Sequence, residues 1–189
     1  MYLFIDTISL PATYILFDSG KDIVSQESIE LRGRESEHFL VSLSEFLTKN
    51  SLEFQNLEGV VVVNGPGSFT AMRIITLTVN TLSLVHHTPL YSIDYFTLGE
   101  LSGWSYPMLL RANRGEYLLQ RNKDTIPELI AIPDIPPGCY FGIGEINDFT
   151  NGAISIQSAL RYDAFCKNFR IGSPVRRIEP YYIKKPNIT

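Results

Sequence analysis

The residues with the most obvious chemical potential lie in one turn, Gly65-Pro66-Gly67-Ser68. A glycine turn ahead of a helix can bind phosphate through free backbone N–H groups. A Walker A loop also needs Lys followed by Ser or Thr after its second glycine, and this turn lacks them. Ser68 could be a hydrolase nucleophile, but a nucleophile elbow needs glycine where Pro66 and Thr70 stand. The residue types therefore predict a structural turn and no catalytic or cofactor-binding residue.

The histidines offer the next candidate chemistry, a metal site. His86 and His87 are adjacent, and adjacent side chains on a helix point in different directions. His38 is far away in sequence, and no cysteine completes a zinc spacing. Three acidic residues could contribute to a scattered acid set, although nothing in the sequence brings them together: Asp6, Asp94 and Glu100. We expect no metal site.

The elements around the glycine turn can be read from local patterns. Val60–Val63 is a continuous β-branched run, which is typical of a strand buried on both faces. Ser68 is a suitable N-cap for the segment Phe69–Val85, which contains neither proline nor glycine. The unit is therefore predicted to be a strand, a tight turn and a long helix.

The long helix has an unusual surface. Helical spacing gives it two apolar faces and a polar stripe formed by Arg73, Thr76, Asn80 and Ser83. No charged residue occurs between Ile74 and Val85, whereas a solvated helix face normally carries Lys or Glu. Two interpretations remain open. The stripe is covered either within its own domain or by another chain.

The run Asn64-Gly65-Pro66-Gly67-Ser68-Phe69-Thr70-Ala71-Met72-Arg73-Ile74 resembles a family motif. The TsaB family has Gly-Pro-Gly-Ser-Phe-Thr-Gly-Leu-Arg-Ile here, and this chain departs from it at Ala71. Members of that family are the non-catalytic partner of a catalytic subunit in the bacterial synthesis of the tRNA modification threonylcarbamoyladenosine. The resemblance implies an actin-like, two-lobed fold related to ribonuclease H.

Weaker similarities extend along the chain. Asp6-Thr7-Ile8-Ser9 is similar to the Asp-Thr-Ser that opens the family, with Ile8 in place of Ser. In the wider actin-like superfamily this first hairpin cradles phosphate, but turn residues can also simply bond local backbone. Ala112–Glu116 resembles a second family motif, in which Arg111 replaces Asp. Ile178–Lys184 resembles the family's C-terminal Pro-x-Tyr-Leu-Arg.

The chain in order predicts an α/β protein whose first lobe runs β-β-β-α-β-α-β-α. The predicted first-lobe elements are Tyr2–Ile5, Thr13–Asp18, Ile23–Leu31, Ser36–Lys49, Val60–Val63, Phe69–Val85, Pro89–Ile93 and Tyr95–Leu101. Gly103–Pro107 marks the expected boundary between lobes 1–102 and 103–189. The second, reduced lobe is predicted to contain strands at Met108–Ala112, Glu116–Arg121 and Cys139–Ile143. It would also have a poorly periodic stretch at Lys123–Pro137 and a helix at Ile156–Phe169.

Composition limits the function classes. The 189 residues carry a net charge of -4, which argues against a main role in binding nucleic acid. The two cysteines, Cys139 and Cys166, form no disulfide framework, so we expect a reduced, cytoplasmic protein. The N-terminal residues do not resemble a signal peptide, and no apolar run approaches the ~18 residues of a membrane span.

The resemblance implies a scaffolding subunit that pairs with a TsaD-type catalytic subunit, with the ATPase TsaE in the larger complex. The pair would transfer threonylcarbamoyl to adenosine 37 of tRNA, and this chain would contact tRNA only indirectly. The family pairs through two first-lobe helices, here Ser36–Lys49 and Ser68–Val85. The candidate interface residues are His38, Val41, Ser42, Glu45, Met72, Arg73, Thr76, Asn80 and Ser83.

Other functions stay open at this point. The chain could be an autonomous actin-like ATPase or kinase, or a glycoprotease-like enzyme, and turnover by the purified chain would favour either. It could also be a self-associating binding module. TsaB proteins can form homodimers through the same helices, so a dimer alone does not distinguish the alternatives.

Overall fold

The computed structural model describes residues 1–144, 149 and 153–182. The chain divides into two compact units. Unit 1 comprises Met1–Tyr95 together with the chain from Phe169 onward, and unit 2 comprises Phe96–Asn168. The sequence placed the whole C-terminal part in the second lobe, whereas residues 169–182 pack on the first unit instead.

Unit 1 is built on a five-stranded mixed sheet. Its strands are β1 (Tyr2–Asp6), β2 (Ala12–Phe17), β3 (Ile23–Ile29), β4 (Gly59–Val63) and β5 (Leu90–Ile93). They lie in the order β3-β2-β1-β4-β5. The first three strands form the predicted antiparallel meander, and β4 and β5 add in parallel to β1. The predicted order of elements along residues 2–101 is confirmed, although all of the last helix except Tyr95 belongs to unit 2.

Two helices cover one face of this sheet, α1 (Glu35–Lys49) and α2 (Phe69–His86). They pack beside each other. Alternate strand residues such as Leu3, Ile5 and Val62 share one core with Phe39 of α1 and Ile75 of α2. The valine run of β4 is fully buried, as its continuous β-branched pattern predicts. A short helix, α3 (Tyr95–Leu101), follows β5.

Unit 2 contains a second five-stranded sheet. Its strands are β6 (Met108–Arg111), β7 (Glu116–Gln120), β8 (Glu128–Ala131), β9 (Gly138–Ile143) and β10 (Ile154–Gln157), followed by α4 (Tyr162–Asn168). The strand order is β10-β9-β6-β7-β8. Read from the other edge it is β8-β7-β6-β9-β10, which is the same order as in the first sheet. The strand directions repeat it too, because β6–β8 are antiparallel and β9 and β10 add in parallel. This arrangement of two mixed sheets with helices is an actin-like α/β fold.

One prediction for the second lobe was wrong. The segment Ile156–Phe169 is not one helix, since it begins within β10 and becomes helical only at Tyr162. Ile154 and Ile156 are half-buried while Ser155 and Gln157 are exposed, which is the two-residue alternation of a strand. The stretch Lys123–Pro137 contains the strand β8, whose pairing with β7 outweighs its weak local pattern.

Candidate functional site

The glycine turn joins β4 to α2 as predicted. Ser68 is the N-cap of α2, and its Oγ accepts a hydrogen bond from the Ala71 backbone N–H at 3.5 Å. The Gly65 carbonyl accepts from the backbone N–H of Tyr95 at 2.7 Å, and the Asn64 N–H donates to the Ile93 carbonyl at 2.9 Å. The turn is therefore fixed to the end of β5 and the start of α3, which supports a structural role.

Gly65 is the position in this turn that requires glycine. Its φ is +140°, and a Cβ there would lie 2.5 Å from the backbone oxygen of Tyr181. Gly67 is exposed and is not among the residues with positive φ. A Cβ on Gly67 would meet Ile8 at 3.4 Å and Met72 at 3.6 Å, which are ordinary contacts. The glycine signature thus reflects close approach of another backbone segment.

The first hairpin uses its own carboxylate to satisfy its backbone. Asp6 is fully buried, and its Oδ1 accepts from the N–H groups of Ile8 and Ser9 at 2.9 and 3.0 Å. The Ser9 hydroxyl donates to the other carboxylate oxygen at 2.5 Å and lies 2.7 Å from the Tyr95 hydroxyl. Two N–H groups that could have faced a phosphate are therefore occupied by a side chain.

The structure separates the nine candidate interface residues into three groups. Val41, Glu45 and Arg73 are exposed on α1 and α2. His38 is half-buried at the start of α1, where it contacts the Arg34 guanidinium. Val41, Glu45 and Arg73 are accessible to a partner, and His38 is partly accessible.

The other five candidates are engaged within unit 1. Met72 and Thr76 are only 1% and 4% exposed, so their proposed contact with another chain is corrected. Thr76 donates to the Met72 carbonyl at 2.7 Å. These residues face the sheet because helical spacing places them on the same side of α2 as Ile75 and Val79.

Ser42, Ser83 and Asn80 are half-buried, and each forms a hydrogen bond inside the unit. Ser42 lies 3.1 Å from the Tyr14 hydroxyl, and Ser83 donates to the Thr88 carbonyl at 2.6 Å. Asn80 bonds to the backbone of Ile178. The uncharged stripe on α2 is therefore covered largely by the protein itself, which was the first of the two interpretations.

A different surface of these helices is open and apolar. We define the outer helix face as Leu40, Val41, Leu77, Leu84 and Val85, all of which are exposed large hydrophobic residues. Leu77 and Leu84 are 69% and 76% exposed. Sequence reasoning named Val41 as an interface candidate but not the other four residues of this face, although a signal was present. A helix with two apolar faces can bury only one of them against a single sheet.

Burial under α1 also changes the chemistry of Tyr14. Its ring packs against Phe39 and Phe46, with centroids 6.2 and 5.7 Å apart. Burial raises the pKa of Tyr14 to about 12, and the hydrogen bond with Ser42 opposes that rise. Tyr14 is thus a neutral core residue at physiological pH.

The histidines show no sign of a metal centre. His86 packs on Phe54 with ring centroids 5.9 Å apart, and His87 ends α2 in the left-handed conformation. Among residues 1–144, 149 and 153–182, no three His, Cys, Asp or Glu side chains form a group that could hold a metal ion. In the part of the chain that the structure describes, no helix combines the length and apolar character needed to cross a bilayer.

Comparisons with known proteins match both a segment of the sequence and the fold. Residues 32–101, which contain α1 to α3, match the model of a family described as "TsaD: tRNA N6-adenosine threonylcarbamoyltransferase". No curated protein matches the chain.

Solved structures match over most of the chain. YeaZ from Pseudomonas aeruginosa is 13% identical with a TM-score of 0.66, covering 87% of this chain and 88% of its own. An uncharacterized protein described as similar to peptidase YeaZ from Pseudomonas aeruginosa is also 13% identical, with a TM-score of 0.65. That match covers 86% of this chain and 87% of the other. The family match to α1–α3 and the fold shared with YeaZ are together consistent with a protein of the TsaB family.

Proposed function

We propose that this chain is a non-catalytic, cytoplasmic scaffolding subunit in the synthesis of threonylcarbamoyladenosine on tRNA. It pairs through the outer helix face with a TsaD-type catalytic subunit, and TsaE joins the larger complex. The family match to residues 32–101 supports membership in this pathway. The observation that carries the pairing is the outer helix face itself, which leaves large apolar residues in water on two adjacent helices.

Exposed apolar residues that occur singly need no explanation, but a group of them on one surface marks an interaction site. α2 has no charged residue between Arg73 and His86, so Leu77, Leu84 and Val85 lie in an uncharged stretch of the helix, with the exposed Arg73 one turn before Leu77. An adjoining pair of partner helices would cover such a surface by ordinary ridge-and-groove packing. Pairing would remove Leu77 and Leu84 from water, and that burial favours association.

The non-catalytic assignment is supported by how the possible catalytic groups are used. Asp6 already occupies the hairpin N–H groups of Ile8 and Ser9. Ser68 caps α2 instead of meeting a base. Asp6 and Ser68 thus each have a structural task in the first unit.

A charge placed on the outer helix face tests the pairing. Leu77→Lys leaves the fold intact because Leu77 is exposed, and the melting temperature should shift little. An unpaired lysine buried in a helix interface costs several kcal/mol, so affinity for the TsaD-type subunit should fall about 10²-fold. Copurification and titration of the two subunits measure this loss.

Val24→Lys is the matched control. Val24 is an apolar residue of β3, 57% exposed, on the same unit but away from both helices. Lysine is well tolerated on exposed edge strands, so this variant should fold and pair normally. Normal pairing by Leu77→Lys would contradict the proposed interface.

Two alternatives have distinct outcomes. If the outer helix face serves only self-association, Leu77→Lys should abolish a homodimer while a TsaD-type subunit fails to bind the wild-type chain. If the chain is an autonomous enzyme, the purified wild type should hydrolyse ATP or a peptide on its own. Turnover that survives purification to a single chain would overturn the non-catalytic role.

A further inference from the structure

An extended segment near the C-terminus crosses the flank of α2. We call Val175–Tyr182 the strap. At its start the Val175 N–H donates to the Leu90 carbonyl of β5 at 2.8 Å. In its middle Ile178 is buried in the core under α2. At its end the Tyr182 ring stacks on Phe69, with centroids 4.6 Å apart. The strap therefore runs from the edge strand to the first turn of α2.

Two asparagines recognise the strap through its backbone. The Asn80 amide donates to the Ile178 carbonyl at 2.9 Å and accepts from the Ile178 N–H at 2.8 Å. The Asn64 side chain donates to the Glu179 carbonyl at 2.9 Å, and the Asn64 backbone carbonyl accepts from the Tyr181 N–H at 2.7 Å. The Asn80 side-chain amide thus pairs with both the backbone N–H and the backbone carbonyl of Ile178, as a neighbouring strand would.

The glycine turn is shaped to admit this segment. The Tyr181 carbonyl oxygen lies only 2.5 Å from where a Cβ on Gly65 would be, so any other residue there would push the strap away. The pKa of the Tyr181 hydroxyl is raised, mainly by burial and secondly by the negative charge of Asp94. Turn, strap and α2 therefore depend on one another, although Gly65 and Tyr181 are far apart in sequence.

We propose that the strap is a latch that positions α2 for pairing. The inference rests on the proposed function, because it assigns the strap a role in presenting the outer helix face. One flank of α2 packs beside α1, and the strap holds another flank through Asn80 and Ile178. With the strap released, Asn80 and Ile178 lose their partners and α2 is free to shift on the sheet. Residues that contact no partner would then control partner binding.

Asn80→Ala in the full-length chain tests the latch. Removal of two hydrogen bonds should raise hydrogen exchange of the strap amides about tenfold. Exchange in α2 should increase with it, and affinity for the TsaD-type subunit should fall about fivefold or more. Asn50→Ala is the matched control, because Asn50 is also half-buried and its side-chain amide donates to the Phe46 carbonyl at the end of α1. It should change none of the three measurements.

The outcomes separate the latch from the proposed function. Fast strap exchange with unchanged pairing overturns the latch and leaves the proposed function standing, as does unchanged strap exchange. If the wild-type chain does not pair at all, the proposed function fails, whereas exchange still shows whether Asn80 holds the strap and α2.

Asn80→Asp decides the matter if Asn80→Ala does not fold. It keeps an acceptor for the Ile178 N–H but loses the donor to the Ile178 carbonyl. Hydrogen exchange of the strap amides should then rise and affinity for the TsaD-type subunit should fall, each by less than if the strap were fully released. A change in exchange alone would again overturn the latch.

Discussion

The two sheets of this protein share one strand order and one pattern of strand directions, but they are covered differently. In unit 1 the connections from β3 to β4 and from β4 to β5 are the long helices α1 and α2. In unit 2 the connection from β8 to β9 is only a 3-10 turn, Ile132–Asp134. Strand residues under the helices in unit 1 are fully buried.

The described residues of unit 2 show what the sheet is like when no long helix joins its strands. Leu109, Tyr117 and Leu119 are buried on one of its faces, but the isoleucines around them, Ile130 and Ile156 among them, remain half-buried. The comparison teaches that α1 and α2 have two roles in unit 1. Their inner sides complete the core, and their outer side presents a surface that unit 2 does not have in its described residues.

The largest expected effect comes from a charge placed on the inner side of α2. Thr76→Glu should destabilise the protein by about 4 kcal/mol or more, because a carboxylate would be buried without a partner. Chemical denaturation monitored by circular dichroism measures this. The neighbouring Arg73→Glu should stay within about 0.5 kcal/mol, because Arg73 is exposed. Equal effects would contradict the assignment of inner and outer sides.

Truncation of one isoleucine in each unit sharpens the comparison. Ile75→Ala should cost about 3 kcal/mol, since Ile75 is fully buried between α2 and the first sheet. Ile156→Ala should cost only about 1 kcal/mol, because Ile156 is half-buried on the second sheet. Denaturant midpoints of the two variants give the ratio, and a larger loss at Ile156 would show that its face is covered.

The glycine turn provides a third test. Gly65→Ala should cost about 2 kcal/mol, because alanine is strained at φ +140° and would collide with the Tyr181 carbonyl. Gly67→Ala should change stability by about 0.5 kcal/mol or less. Thermal melting measures both variants. A larger effect at Gly67 would mean that the turn, and not the strap, sets the glycine requirement.

The smallest expected effect is a pH dependence that comes from the covered sheet. The folded pKa of Tyr14 is raised to about 12 from 10.0, so its contribution is complete below pH 10 and is lost as the pH rises through 12. At pH 11 the loss should be about 1.4 kcal/mol. Tyr14→Phe should remove this loss of unfolding free energy between pH 10 and pH 12, which denaturation at several pH values measures. Tyr140→Phe in unit 2 should retain most of it, although burial also raises the pKa of Tyr140.

Much of unit 1 could be predicted from sequence because its signals are local. The valine run of β4, the glycine turn, the Ser68 cap and the uninterrupted stretch of α2 each act within a few residues. Unit 2 was predicted less well, since β8 and β10 are short and gain their stability from neighbouring strands.

The sequence by itself determined that α2 has two apolar faces and an uncharged stripe, because helical spacing fixes the angles between side chains. Only the tertiary structure decided which face meets the sheet and which stays in water. It also decided that the stripe is covered by Ile178, a residue 98 positions from Asn80. Contacts between residues so distant in sequence leave no trace in local periodicity. The same distance explains why the glycine requirement falls at Gly65, where the strap passes, and not at Gly67.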